Sequence, residues 1–178
     1  MKICIDPGHG GRDPGGQADN PFVYQEKEFN LNFSLLLEER LEQFGHWVIV
    51  VRRRDRYVSL NARANFANRL NADLFISIHA NAAANPSVEG MEIYHFPGSN
   101  SGRLAADHIF NRIIDAFPDH RNRGIKTANF DVLRLTLMPA VLIECEFLTN
   151  PTQLRFLTNP DSQTRSATAI ADGVNSFA

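Results

Sequence analysis

Apolar and polar positions alternate along this chain in two rhythms, one of short blocks and one of helical stripes. Lys2–Ile5 is a brief apolar run stopped by Asp6-Pro7-Gly8, the pattern of a short buried strand ending in a turn. Residues 10–24 follow as a loop rich in Gly, Pro, Asp and Asn. From Glu26 to Phe44 the spacing of Phe29, Phe33, Leu36, Leu37 and Leu41 predicts a helix, with Gly45 as its stop. Trp47–Val51 is mostly β-branched and reads as a second strand. Ser59 then caps a helix carrying Leu60, Ala64, Ala67 and Leu70.

The second half repeats the scheme. Asp73–His79 ("DLFISIH"), Gly90–Phe96 ("GMEIYHF") and Pro139–Phe147 ("PAVLIECEF") read as strands. Ser101–Phe117 reads as a helix with a stripe of Leu104, His108, Ile109, Ile113 and Phe117. Pro151–Leu157 and Ser162–Phe177 read as closing helices. Strands alternating with helices predict an α/β fold, a largely parallel twisted sheet flanked by helices on both faces. No repeat, linker or composition shift divides the chain, so residues 1–178 are expected to form a single domain.

Composition narrows the function classes. The 178 residues are 43% hydrophobic and 21% charged, in the range of a globular domain with a sizeable core. A net charge of -2 gives no electrostatic footprint for nucleic acid or an anionic membrane. No apolar run is long enough for membrane insertion, and the N-terminus lacks the layout of a signal peptide. Cys4 and Cys145 sit in apolar runs and are expected to be buried free thiols.

The chemistry-bearing residues cluster at strand ends. His9 follows the first strand, His79 ends "FISIH", and Glu144 lies near the end of "AVLIE". Open α/β sheets bind ligands beyond the carboxyl ends of their strands. Glu26 begins the long helix that can face the same edge. Two histidines and a carboxylate form a zinc set that leaves a position open for water. The ion lowers the pKa of that water to about 7, and a second carboxylate can move its proton. Each residue also has an ordinary reading. Glu26 in a first helical turn favours the dipole, and Glu28 serves equally well by that argument. A carboxylate inside an apolar run, as at Glu144, is costly unless paired or functional. The glycines around His9 do not make a phosphate loop. Asp13 replaces the last glycine of GxGxxG, and Gln17 stands where the Walker lysine belongs.

Taken together, "IDPGHGGRDPGG", "QEKEFNLN", "RANFANRLNADLFISIHAN", "VEGMEIYHF" and "MPAVLIECEFLTN" resemble the zinc-dependent N-acetylmuramoyl-L-alanine amidases of the amidase-3 family. The pieces occur in the family's order over nearly the whole chain. The resemblance implies that His9, Glu26 and His79 hold one Zn2+ per chain and that Glu144 is the catalytic glutamate. It implies hydrolysis of the amide between the lactyl group of N-acetylmuramic acid and L-alanine of the peptidoglycan stem. It places a monomeric enzyme at the cell wall, whether periplasmic, extracellular or in phage lysis. A carboxypeptidase-like zinc peptidase of the wall and a non-catalytic wall-binding module are the competing readings. Where the family usually has glycine, this chain has Glu146, which either shares a face with Glu144 or turns to solvent. The stretch from Phe96 to Pro139 shows no inserted regulatory helix, so an open site is expected, with Arg123, Asn129 and Arg134 as substrate contacts or solvated surface. His46 and His120 are expected to be exposed in turns, and His95 and His108 to be structural.

Overall fold

A computed structural model describes all residues, 1–178. In chain order the elements are β1 (Lys2–Pro7), β2 (Gln17–Ala18), β3 (Tyr24–Gln25), α1 (Glu26–Gln43), β4 (Trp47–Val50), α2 (Leu60–Arg69) and β5 (Leu74–Asn81). There follow β6 (Met91–His95), α3 (Asn100–Ala116), β7 (Asn122–Thr127), α4 (Asp131–Arg134), β8 (Ala140–Phe147), α5 (Pro151–Thr158) and α6 (Pro160–Phe177). Six strands form one sheet in the order β4-β1-β5-β8-β6-β7, and β2 and β3 make a small hairpin. Only the β6–β8 pairing is antiparallel; the other four are parallel. The sheet is therefore largely parallel, as the alternation of elements predicts.

Alternating side chains divide the sheet into two apolar layers. Ile3, Ile5, Ile76, Ile78, Val141 and Ile143 join the residues of α1, α3 and α6 in a cluster of 31 buried residues. Cys4, Phe75, Ala140 and Leu142 pack with Ala67 of α2 and with Val132 and Leu133 of α4 in a cluster of 9. Period-two burial of this kind is what strands covered by helices on both faces require. Phe29, Phe33, Leu37 and Leu41 of α1 are buried as the spacing foretold. Each stabilises the fold by about 1.5–3 kcal/mol relative to exposure. Ser59 accepts a hydrogen bond from the backbone N–H of Ala62 and caps α2. No helix is long and apolar enough to cross a membrane.

Helix α3 buries Ile109 and Ile113 of the expected stripe, with Phe117 at its end, but not Leu104. Leu104 is exposed, and the buried face is Gly102, Ala105, Ala106, Ile109, Phe110 and Ile113. The reason lies in α6. A Cβ on Gly173 would come within 2.5 Å of the Ile109 Cα, so the two helices approach backbone to backbone and small residues belong at the contact. Strand β7 and the single turn α4 were not legible as elements. β7 is an edge strand of half-exposed, polar and glycine-containing sequence, with none of the apolar pattern that marks a strand.

Candidate metal centre and catalytic cleft

The ladder between β1 and β5 continues past Pro7, where the Gly8 N–H donates to Ile78 O at 3.0 Å. The chain then turns at His9, whose φ of 58° is unusual for a side-chain-bearing residue. Two buried arginines hold that turn. Arg63 donates to the carbonyls of Pro7 and His9, each at 2.6 Å, and pairs with Asp6 at 2.7 Å. Arg52 donates to Pro7 O at 3.0 Å, Gly8 O at 2.8 Å and Lys27 O at 2.9 Å. The flexible-looking loop is thus clamped from below by two guanidinium forks.

Three elements bring His9, Glu26 and His79 together. His9 leaves β1, Glu26 is the first residue of α1, and His79 is near the end of β5. Glu26 Oε2 lies 3.1 Å from His9 Nε2, and Oε1 lies 2.8 Å from His79 Nδ1. Helix capping separates Glu26 from Glu28. Glu28 is exposed and its carboxylate accepts from the Gln25 N–H at 3.3 Å in a capping box, whereas Glu26 is buried and turned inward. Glu26 also accepts from the N–H groups of Gly16 at 2.8 Å and Ala80 at 3.3 Å, and from the Asn30 amide at 3.1 Å.

The space around these groups is made by glycines. A Cβ on Gly8 would overlap the His79 imidazole, and one on Gly15 would meet Glu26 Oε2 at 2.5 Å and His9 Cδ2 at 2.6 Å. His9 Nδ1 lies 3.0 Å from Asp13 Oδ1, which leaves Nε2 to face Glu26. Burial opposes charge on both histidines, but Glu26, joined by Asp13 at His9, outweighs it and raises His9 to about 9 and His79 above its usual range. Burial likewise opposes the Glu26 carboxylate, yet the two imidazoles hold it well below the usual range.

Two nitrogens and an oxygen from these residues all lie within 4.8 Å of one another. Tetrahedral ligands each roughly 2.1 Å from one zinc stand about 3.4 Å apart, so closing the widest separation by about 1.4 Å or less places all three on one ion. Neutral imidazoles and a carboxylate also match the donor preference of zinc. An ion there would replace the direct imidazole–carboxylate contacts.

Glu144 stands opposite His79 in the β5–β8 register. Its Oε2 is buried and has no hydrogen-bond partner. Burial, opposed by His79 and reinforced by Glu26 and Glu92, lifts its pKa to about 7. Both residues line a cleft of about 590 Å³ on the α2–α4 side of the sheet. Tyr57, Val58, Leu60, Phe130 and Val132 form its apolar wall; His9, Asp13, Arg63 and Asn129 also border it.

Some of the other residues land differently from expectation. β8 runs on through Glu146, which is fully buried rather than turned to solvent. Its carboxylate accepts from the N–H groups of Gly90 at 2.7 Å and Phe147 at 3.2 Å and lies 3.1 Å from His120 Nδ1, so it shares no partner with Glu144. His120 is therefore half-buried and paired, and His46 is buried beside the N-terminal amine at 3.3 Å; neither is an exposed turn residue. Asn129 borders the cleft, whereas Arg134 bonds to Asn129 and Asp131 beside it. Arg123 pairs with Glu92. Asn81 shapes its turn through the Ala82 N–H at 2.9 Å and also donates to Glu92. Cys4 and Cys145 are buried and unpaired, and burial pushes both thiols up.

Arg52, Arg63, Asp13 and Asn30 were missed as site residues. For Arg63 a signal existed, since it falls on the apolar face of α2 beside Ala64 and Ala67. Arg52 directly follows the apolar run of β4, where a charge must find partners.

An open α/β sheet with a two-histidine, one-glutamate cluster and a free buried carboxylate at its carboxyl edge is a candidate hydrolase site, with a donor set that could hold a metal ion. The sequence model of the N-acetylmuramoyl-L-alanine amidases of the amidase-3 type matches residues 3–176, and the chain belongs to that family. It is 38% identical over 178 residues to the N-acetylmuramoyl-L-alanine amidase LytC of Bacillus subtilis (strain 168), covering 98% of this chain and 35% of that protein. It is 43% identical over 152 residues to the N-acetylmuramoyl-L-alanine amidase CwlM of Bacillus licheniformis, covering 84% of this chain and 58% of that one. The chain thus spans about a third to three fifths of these two relatives. The crystal structure of an N-acetylmuramoyl-L-alanine amidase from Clostridium difficile 630 superposes with a TM-score of 0.93 at 38% identity, over 99% of this chain and 95% of that one.

Proposed function

We propose that residues 1–178 form one catalytic unit of a zinc-dependent amidase. It hydrolyses the amide between the lactyl group of N-acetylmuramic acid and L-alanine of the peptidoglycan stem. The observation that carries this reading is the convergence of His9, Glu26 and His79 beside a cleft that His9, His79 and the unpartnered carboxylate of Glu144 line. His9, Glu26 and His79 would hold one ion. All three belong to a single chain, so a monomer carries a complete site. Zinc, when bound, supplies a Lewis acid that polarises the scissile carbonyl and acidifies water.

Glu144 does the proton work. A carboxylate lifted to about 7 by burial is matched to accepting a proton from the attacking water and returning it to the departing amine near neutral pH. Asp13, Asn30 and the Gly16 and Ala80 amides orient the ligands through the bonds they make to His9 and Glu26. Tyr57, Leu60 and Phe130 form the wall along which substrate displaces water. The place of action would be the cell wall, in keeping with the names of the relatives.

Clearing of purified cell walls, with the products analysed for new amino termini, tests the reading. Free L-alanine amino termini are expected from the wild type, with loss of clearing on chelation and recovery with zinc. Release of stem-peptide C-terminal residues without new L-alanine termini would point to a carboxypeptidase instead. Wall binding with no hydrolysis would point to a binding module.

A further inference from the structure

One strand over from Glu144 lies a second buried carboxylate, and it is overcompensated. Glu92 of β6 is 2% exposed and sits directly opposite Glu144 in the β6–β8 register. Its Oε1 accepts from Asn81 at 2.9 Å and from the Tyr94 hydroxyl at 2.8 Å. Its Oε2 accepts from Arg123 Nε at 2.8 Å and from the Lys126 ammonium. These four bonds use up the acceptor positions of one carboxylate. A single negative charge therefore meets two positive ones, where one cation and the two neutral donors would have sufficed.

The surplus charge is accessible and rigid. The Arg123 and Lys126 side chains are 26% and 36% exposed. Beyond Glu92, Arg123 donates only to Glu89 O, at 3.3 Å, and Lys126 to nothing else in the chain, so donors remain free on both. Arg123 is also held by the Phe147 ring, 5.0 Å from its guanidinium carbon, and by Gly90, where a Cβ would meet its Cγ at 2.6 Å. Tyr94 joins the group to the cleft wall through its ring contact with Phe130, at 5.4 Å between centroids.

We propose that Arg123 and Lys126 form a subsite for a carboxylate of the stem peptide. The proposal rests on the amidase reading for its substrate and on the Glu92 cluster for its chemistry. Directly opposed residues share a sheet face, and neighbouring strands lie about 4.8 Å apart. The free donors thus stand about 5–10 Å from the strand of Glu144. An extended peptide advances about 3.3–3.6 Å per residue. The recognised carboxylate accordingly lies one to three residues from the scissile amide. Stem peptides carry such a group, free or amidated, on the residue that follows L-alanine. A prepositioned cation pair binds the free acid and has no counter-charge to offer the amide.

Two synthetic muramyl peptides, differing only in whether that α-carboxyl is free or amidated, decide the matter. The zinc-loaded wild type is expected to favour the free acid by about tenfold in kcat/KM, with the difference in KM. In Lys126→Gln the ratio falls towards one through a higher KM for the acid, and Lys126→Arg restores it. Equal kcat/KM for the two peptides in the wild type overturns the subsite, and so does an equal loss on both in Lys126→Gln. Calorimetric binding of L-alanyl-D-glutamate capped as the γ-methylamide, with its α-carboxyl free or amidated, to the zinc-loaded Glu144→Gln protein needs no turnover. If the wild type cleaves neither muramyl peptide, the amidase reading fails. The subsite then stands on tighter binding of the free-acid dipeptide, or falls on equal binding.

Discussion

Arg63 donates from Nη2 to the carbonyl oxygen of His9 at 2.6 Å, so a side chain of α2 fixes the backbone of a metal-ligand candidate 54 residues earlier. The same guanidinium pairs with Asp6 at 2.7 Å, and both side chains are almost fully buried, at 2% and 1%. Breaking such a pair from one side leaves an uncompensated buried charge. Arg63→Ala is therefore expected to destabilise the protein by about 3–5 kcal/mol in denaturant unfolding. Arg63→Lys keeps the charge but not the fork that reaches Asp6, Pro7 and His9 together, and should lose about 1–3 kcal/mol. A lysine variant within 0.5 kcal/mol of wild type would show that the charge alone suffices.

Asp13 sets the orientation of His9. Its Oδ1 lies 3.0 Å from Nδ1 and also accepts from the Gly15 N–H at 3.2 Å. A carboxylate behind a metal-binding imidazole fixes its tautomer and ring angle. Asp13→Ala is expected to weaken zinc binding by about 10–100-fold while leaving the fold intact. Competition against a chromogenic chelator measures this, and an unchanged zinc affinity would rule out the orienting role.

Gly8 tests space rather than charge. Its φ lies outside the left-handed region, so alanine brings no backbone strain there, only a Cβ overlapping the His79 ring. Gly8→Ala should displace His79 and lower zinc affinity by at least about tenfold with a native far-UV spectrum. Gly45 is the control. Its φ of 79° disfavours alanine, but nothing lies within 4 Å of the added carbon. Gly45→Ala should lower stability by about 1 kcal/mol without changing zinc affinity.

Much of this was written in the sequence. The strands of the sheet core and the long helix α1 follow from periodicity, because their burial is one-sided or complete. The positions of His9, His79 and Glu144 follow from one topological fact, that strand ends gather at one edge. Periodicity could not choose Glu26 over Glu28. The family resemblance implied Glu26, and the physical reason appears in the structure, where the Gln25 N–H takes Glu28. The first turns of α3 were misread at Leu104 because the buried positions there are Gly102, Ala105 and Ala106, which leave little hydrophobic signal. The partners of Arg52, of His120 and of the Glu92 cluster were illegible for a further reason. They are backbone carbonyls or residues on other strands, and local spacing holds no record of either.

Glu144 carries the last prediction, because what would suit it to the proposed catalysis makes it a burden on the metal-free fold. Burial, opposed by His79 and reinforced by Glu26 and Glu92, lifts its pKa to about 7, against about 4.3 in an unfolded chain. The folded state then holds this proton more tightly than the unfolded state. Its contribution to stability is fully present below about pH 4 and is lost as pH rises through about 7. Glutamine cannot ionise. Metal-free Glu144→Gln should therefore match the wild type at pH 4 and exceed it at pH 8 by a margin on the order of 1–3 kcal/mol. Zinc should narrow the gap, since a nearby cation favours the carboxylate. The same variant should lose about 10²–10⁴-fold in wall hydrolysis while still binding zinc. Thermal unfolding at the two pH values, with and without chelator, reads the stability difference. A difference independent of pH would mean that Glu144 does not ionise in the cleft, and the proton-transfer role would fall with it.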